Sequence, residues 1–254
     1  MTSSTSRIRE AARNALPGNY ILFDCALVIS GLLTGACDQV LSSFFLPSGK
    51  AHFLLIFLLN TVITVLVSIL SQMFQAGRDF LSLNIARYNR TAVTDLFLAF
   101  RYDTAKAFKL SAVLAVAGSV CSIPMSLSYS YFITYGLLVP GQLENPDFLI
   151  RVIFILLAGI LGTLVLQIVI LFPLSQVLFL YIDHQEYSAI ECIRGSIRIM
   201  KGQYLRFLKL HLSFLGYYAL CVLSLGLGLL WVVPYLSVTR ASFYMDITGN
   251  YKPY

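Results

Sequence analysis

Two carboxylates stand inside the first long apolar run of the sequence. Asp24 and Asp38 are fourteen residues apart, which puts them within about 40° of each other on a helix that turns about 100° per residue. An acid in a membrane-length apolar segment is costly and commonly serves ion or proton binding. Asp38 is the deeper of the two and is the leading candidate for such a site. Asp24 lies near the start of the run, where pairing with an Arg or Lys would cost little. Asn60, Gln72, Gln75, Gln167 and Gln176 carry amides into other apolar runs. Such amides either hydrogen-bond between helices or line a polar path. His211 sits beside Lys209 early in a later run, suited to a structural hydrogen bond or to a proton relay.

Other chemistry finds little footing. Cys25, Cys37, Cys121, Cys192 and Cys221 form no CxxC pair, and His52, His184 and His211 are scattered. Metal ligands normally cluster in sequence, so no metal site and no cofactor are expected, and the cysteines read as small packing residues. There is no nucleophile elbow, no HExxH, no phosphate loop and no nucleotide fingerprint. The expectation is a protein that is not an enzyme.

The elements that must position these groups are membrane helices. Of 254 residues, 58% are hydrophobic and only 12% are charged. A soluble domain usually carries about 25% charged residues, so this chain could not cover a soluble surface. Apolar runs span residues 20–46, 53–75, 108–139, 152–182 and 205–247, and a bilayer crossing needs only about 20 residues. The last run is too long for one helix; Ser224-Leu225-Gly226-Leu227-Gly228 offers a turn that divides it into 205–223 and 228–246. The sequence-based expectation is an all-α, polytopic bundle of six crossings in one domain, 1–254. Arg7, Arg9 and Arg13 precede the first run as in a signal peptide, but that run is longer than a signal's apolar core, so no cleavage is expected.

Charge sets orientation. Basic residues gather at the N-terminus (1–19), in 77–107 with Lys109 just beyond it, and in 183–204 with Arg206 and Lys209 just beyond it, while the intervening loops hold few. Lys and Arg mark cytoplasmic loops. Both termini are therefore expected in the cytoplasm, in a multi-pass plasma-membrane protein. The net charge of +6 is dispersed between apolar runs, which fits anionic lipid headgroups and not nucleic acid. A protein partner or a homo-oligomer is also compatible with it.

The basic segments have helical patterning of their own. Ser188 and Glu191 have capping-box spacing. Ile190, Ile193, Ile197 and Met200 follow on one face, Arg194, Arg198 and Lys201 on another, and Gly202 supplies a stop. This describes an amphipathic helix of the headgroup plane, with Arg194, Arg198 and Lys201 as candidate lipid contacts. Val93, Leu96, Phe97 and Phe100 repeat the stripe, and Ile8, Ala12 and Ala15 do so weakly before Pro17-Gly18. Residues 12–20 and 196–204 align in a basic helix ending in Gly, an amide residue and Tyr. The six crossings thus read as three hairpins, each preceded by an interfacial amphipathic helix.

The C-terminal third adds a resemblance. Ser188-Ala189-Ile190-Glu191, Met200-Lys201-Gly202, Leu212-Ser213-Phe214-Leu215-Gly216-Tyr217, Gly226-Leu227-Gly228-Leu229-Leu230-Trp231, Pro234-Tyr235 and Phe243-Tyr244 closely resemble domain of unknown function 975, a bacterial membrane family. Tyr217 stands where that pattern usually has Trp, and the N-terminal half fits through Gly77 and Asp95-Leu96-Phe97. The resemblance implies a bacterial plasma-membrane protein and carries over no catalytic residue. Two function classes then compete. A transporter- or channel-like bundle would move an ion or small solute past Asp38. An accessory protein would organise anionic lipid or a membrane complex through its basic helices.

Overall fold

The computed structural model describes residues 5–45, 53–137 and 145–249. Among these the elements are helical, joined by turns, with no strand. Helix α1 (Thr5–Ala15) buries Ile8, Ala12 and Ala15 along one stripe. It is closed by Pro17 and by Gly18 at φ +87°, a left-handed conformation that glycine adopts without side-chain strain.

Helices α2 (Tyr20–Phe45) and α3 (Phe53–Ala86) follow. At about 1.5 Å per residue, the 34 residues of α3 reach about 51 Å, well beyond a hydrocarbon core near 30 Å. The helix therefore absorbs the first part of the basic segment 77–107. The remainder forms a 3-10 turn (Val93–Phe97) and the short α4 (Leu98–Arg101). The expected stripe there is divided, with Leu96 fully buried and Phe100 exposed. Asp95 accepts from the Ala92 N–H at 2.9 Å and fixes the start of the turn. Gly77 permits the turn to lie directly on α3, because a Cβ there would overlap the Leu96 carbonyl.

Helix α5 (Thr104–Phe132) starts at Asp103, whose carboxylate accepts from the Lys106 N–H at 3.2 Å. It runs on through a wide turn, Ile133–Leu137. Helix α6 (Pro146–Leu166) begins with Pro at the first turn, where a missing N–H costs nothing. Gly159 rests against Ser128 and Pro124 of α5, and the Ser128 hydroxyl lies 3.0 Å from the Ile155 carbonyl across the interface.

The fourth apolar run is not one continuous helix. A wide π-type turn at Gln167–Leu171 leads into α7 (Phe172–Leu174), a break at Ser175-Gln176, and then α8 (Val177–Asp183). Pro173 lacks the N–H that would continue the ladder. The final part comprises α9 (Ala189–Met200), α10 (Tyr204–Leu212), α11 (Leu215–Leu223) and α12 (Leu229–Ile247). The expected turn before α12 is present, with Leu225 at φ +51° and Gly226 at φ +91°. A second break at Ser213-Phe214 separates α10 from α11.

Helix α3 is the hub and packs against α1, α2, α5, α8 and α12. Ala12, Leu16, Phe23, Leu81, Ile85, Leu96 and Val238 form one apolar cluster. Leu83, Ala99, Tyr181, Cys192 and Tyr244 share another. Helix α1 and the 3-10 turn thus pack in the first cluster with α3 and α12, and α9 packs in the second with α3, α8 and α12. Among the described residues, three segments are long and apolar enough to cross a membrane: Tyr20–Leu41, Thr104–Phe132 and Pro146–Asp183.

Candidate functional site

Of the residues singled out by sequence, Asp24, Asp38, Gln167 and His211 do not converge, whereas Gln75 and Gln176 join a polar cluster around Asp79. Asp38 is exposed on α2, and Gln167 is exposed in the wide turn after α6. Asp24 is half-buried, with Oδ1 shielded and without a hydrogen-bond partner. The Asn60 side chain lies outside the described residues. His211 is half-buried between the rings of Phe207 (4.4 Å) and Phe172 (5.8 Å), and its Nδ1 is 3.0 Å from the Phe207 carbonyl. That is the arrangement of a structural imidazole bound within its own helix.

The polar cluster occupies the interior. Asp79 of α3 is only 1% exposed. Its Oδ1 accepts from the Gln75 amide at 2.7 Å, while its Oδ2 is buried without a partner. The Gln75 carbonyl oxygen accepts from Arg78 Nη2 at 2.6 Å, and Arg78 Nη1 donates to Ser30 of α2. Arg240 of α12 lies within electrostatic reach of Asp79 and donates to the Ser175 carbonyl at 3.4 Å, at the break between α7 and α8. Ser196 of α9 repairs that break from outside. Its hydroxyl donates to the Pro173 carbonyl at 2.6 Å and accepts from the Gln176 N–H at 3.2 Å. Gln176 is fully buried, yet its side-chain Oε1 has no partner.

The cluster thus holds two unpartnered acceptor oxygens, two guanidinium groups and a broken helix. Buried polar atoms are normally satisfied, and each exception calls for an explanation. Asp79 escapes a sequence reading because Arg78-Asp79 sits inside a basic segment and looks like loop charge. The available signal is its register: Ala76 and Leu83, three positions before it and four after it on the same helix, are also buried.

The second candidate surface is α9. The Ser188 hydroxyl accepts from the Glu191 N–H at 3.3 Å, and the Glu191 carboxylate accepts from the Ser188 N–H at 2.7 Å. This closes the expected capping box, and the Ser188 amide holds the Glu191 carboxyl below the usual glutamate range. The expected apolar stripe is divided: Met200 is buried and Ile193 packs against the core, while Ile190 and Ile197 stay outside. It is Cys192, Ser196 and Met200 that are buried, because α7 and α8 take that side. Ile190 and Ile197 remain 61% and 44% exposed. They lie on the same side of the helix as Arg194, Arg198 and Lys201, all exposed.

Among the described residues no group of three His, Cys, Asp or Glu could hold a metal. No curated protein and no solved structure matches the chain. A family model described as "Protein of unknown function (DUF975)" matches residues 1–251, and the chain therefore belongs to that family.

Proposed function

We propose that this protein is a non-enzymatic, multi-pass plasma-membrane protein that gathers anionic lipid at the cytoplasmic face through its interfacial helices. The observation carrying this reading is the outer face of α9. Exposed Ile190 and Ile197 stand beside Arg194, Arg198 and Lys201, so an apolar edge can enter the headgroup layer while three cations meet phosphates. Six crossings as three hairpins, with both termini in the cytoplasm, complete the proposal, because the basic elements then share one side.

The test uses full-length protein in micelles containing equal phosphatidylglycerol and phosphatidylcholine, with retained lipids counted by native mass spectrometry. Each Lys or Arg at an anionic leaflet contributes about 1 kcal/mol. Replacing Arg194, Arg198 and Lys201 by Gln should therefore weaken phosphatidylglycerol retention at α9 by about two orders of magnitude. Equal retention of both lipids by the unaltered protein would sink the reading.

A transporter-like function is the second reading, supported by a separate observation: the unpartnered Asp79 oxygen next to a broken helix. Discontinuous helices with polar groups at the break recur at transporter binding sites. Proteoliposomes carrying the protein should then show an ion or proton flux that Asp79→Asn abolishes. No flux above empty vesicles would remove this reading.

A further inference from the structure

We propose that the cavity between α1 and the α11–α12 hairpin is a binding site for the phosphate of one anionic lipid, seated on Arg9 and Arg13. The cavity measures about 530 Å³ and is lined by Arg9, Arg13, Tyr20, Tyr217, Trp231 and Tyr235 among others. Its central group is an arginine with no counter-ion among the described residues. Arg9 Nη2 donates to the Tyr217 hydroxyl at 3.2 Å and Nε donates to the Tyr235 hydroxyl at 3.4 Å. The guanidinium lies 5.4 Å from the Phe214 ring centre and 5.6 Å from that of Tyr217.

Every one of these partners is neutral. They orient the guanidinium without compensating its charge, and its remaining N–H groups have no partner among the described residues, leaving a fork geometry suited to an oxyanion. The Tyr235 hydroxyl also donates to the Arg9 carbonyl at 3.3 Å, which holds the backbone of α1 to α12. Arg13, one turn further along α1, is exposed on the same cavity wall. Glu10 also borders the cavity, so these three charged groups leave one net positive charge to attract an anion.

The surroundings favour a lipid over a free anion. Trp231 is 61% exposed, and Leu223, Leu225 and Leu227 of the neighbouring turn are largely exposed, as is Ile21 at the start of α2. A ligand whose phosphate meets Arg9 would therefore have apolar surface beside it for acyl chains. Inorganic phosphate would gain the charge contact and nothing more. The site rests on the membrane reading of the chain but does not involve α9, so the two can fail separately.

Trp231 is the protein's single tryptophan, and it lines the cavity, so its fluorescence reports occupancy directly. Full-length protein in neutral detergent is titrated with phosphatidylglycerol, with phosphatidylcholine and with inorganic phosphate. A saturable change with phosphatidylglycerol alone is expected. The Arg9→Gln/Arg13→Gln protein should need about thirtyfold more lipid, and Arg13→Gln alone about fivefold more. Gln at Arg194, Arg198 and Lys201 should leave the titration unchanged. Arg13 is exposed, so its variant tests the site even where loss of Arg9 unfolds α1. Equal responses to the two lipids, or an unshifted Arg13→Gln titration, would overturn the proposal. Saturation by inorganic phosphate with no response to phosphatidylglycerol would overturn the lipid assignment.

Discussion

Arg87 at the end of α3 and Asp183 at the end of α8 form an ion pair at 2.8 Å, and Tyr244 of α12 donates its hydroxyl to the same carboxylate at 3.2 Å. One aspartate thus ties together three helices that are far apart in sequence. The pair is partly shielded, with Asp183 the more buried partner. Asp183→Asn leaves Arg87 without its counter-charge, and a cost of about 2 kcal/mol is expected after allowing for solvent at Arg87. Tyr244→Phe removes one hydrogen bond to a charged acceptor and should cost about 1 kcal/mol. Thermal unfolding in detergent checks both values. If the double variant loses less than the sum of the single losses, the two contacts are coupled through Asp183.

Gly77 makes the sharper packing test. A Cβ there meets the Leu96 backbone, which is held in place by the Asp95 cap and cannot withdraw as a flexible side chain could. Gly77→Ala should destabilise the protein by about 3 kcal/mol, at the upper end of overpacking costs. Gly35 on α2 has nothing within 4 Å of its missing Cβ. Gly35→Ala should be neutral or stabilising by about 0.5–1 kcal/mol, from helix propensity. Similar melting temperatures for the two variants would refute the close approach of the 3-10 turn to α3.

The α9 cap predicts a pH dependence. The Ser188 amide lowers the Glu191 pKa in the folded chain, so the ionised form is the one that stabilises the cap. This contribution is fully present above the ordinary glutamate value near pH 4.3. It is lost as pH falls through the depressed folded value. A carbon NMR titration of the Glu191 carboxyl should give a midpoint below that of an unstructured glutamate. Ser188→Ala should cost about 1 kcal/mol of local helix stability through loss of the hydroxyl acceptor. A Glu191 midpoint at the ordinary value would show that the capping box is open in solution.

The elements were legible where the signal was local. The capping box of α9, the glycine turn before α12 and the buried stripe of α1 follow from spacing within a few residues. Long apolar runs announce helices without any tertiary context. What stayed hidden depends on partners distant in sequence. Asp79 is buried where α3 packs against α12, whose Arg240, 161 positions away in the numbering, lies within its electrostatic reach. Ile190 and Ile197 match the apolar stripe by period, but α7 and α8 engage the adjoining face, so the two isoleucines remain outside. The carboxylates chosen first, Asp24 and Asp38, share an angular position on α2, but that helix turns Asp38 outward.

Asp38 and Asp79 therefore separate what sequence and structure each nominate. Asp38 is exposed, and Asp38→Asn removes a charge that the fold does not enclose, so unfolding should shift by no more than about 0.5 kcal/mol. Asp79 is buried, with Arg78 of its own helix and Arg240 of α12 within electrostatic reach. Both guanidinium groups are half-buried and keep other partners, so Asp79→Leu should cost about 1–3 kcal/mol, from the lost Gln75 contact and the lost counter-charge. Arg240→Met removes one of those cations. The double variant Asp79→Leu/Arg240→Met should then recover part of the loss, giving a favourable coupling in the double-mutant cycle. Thermal unfolding in detergent reads all four proteins. Strict additivity would mean that Arg240 does not balance Asp79, and the buried cluster would reduce to the local Gln75–Arg78–Asp79 contacts of α3.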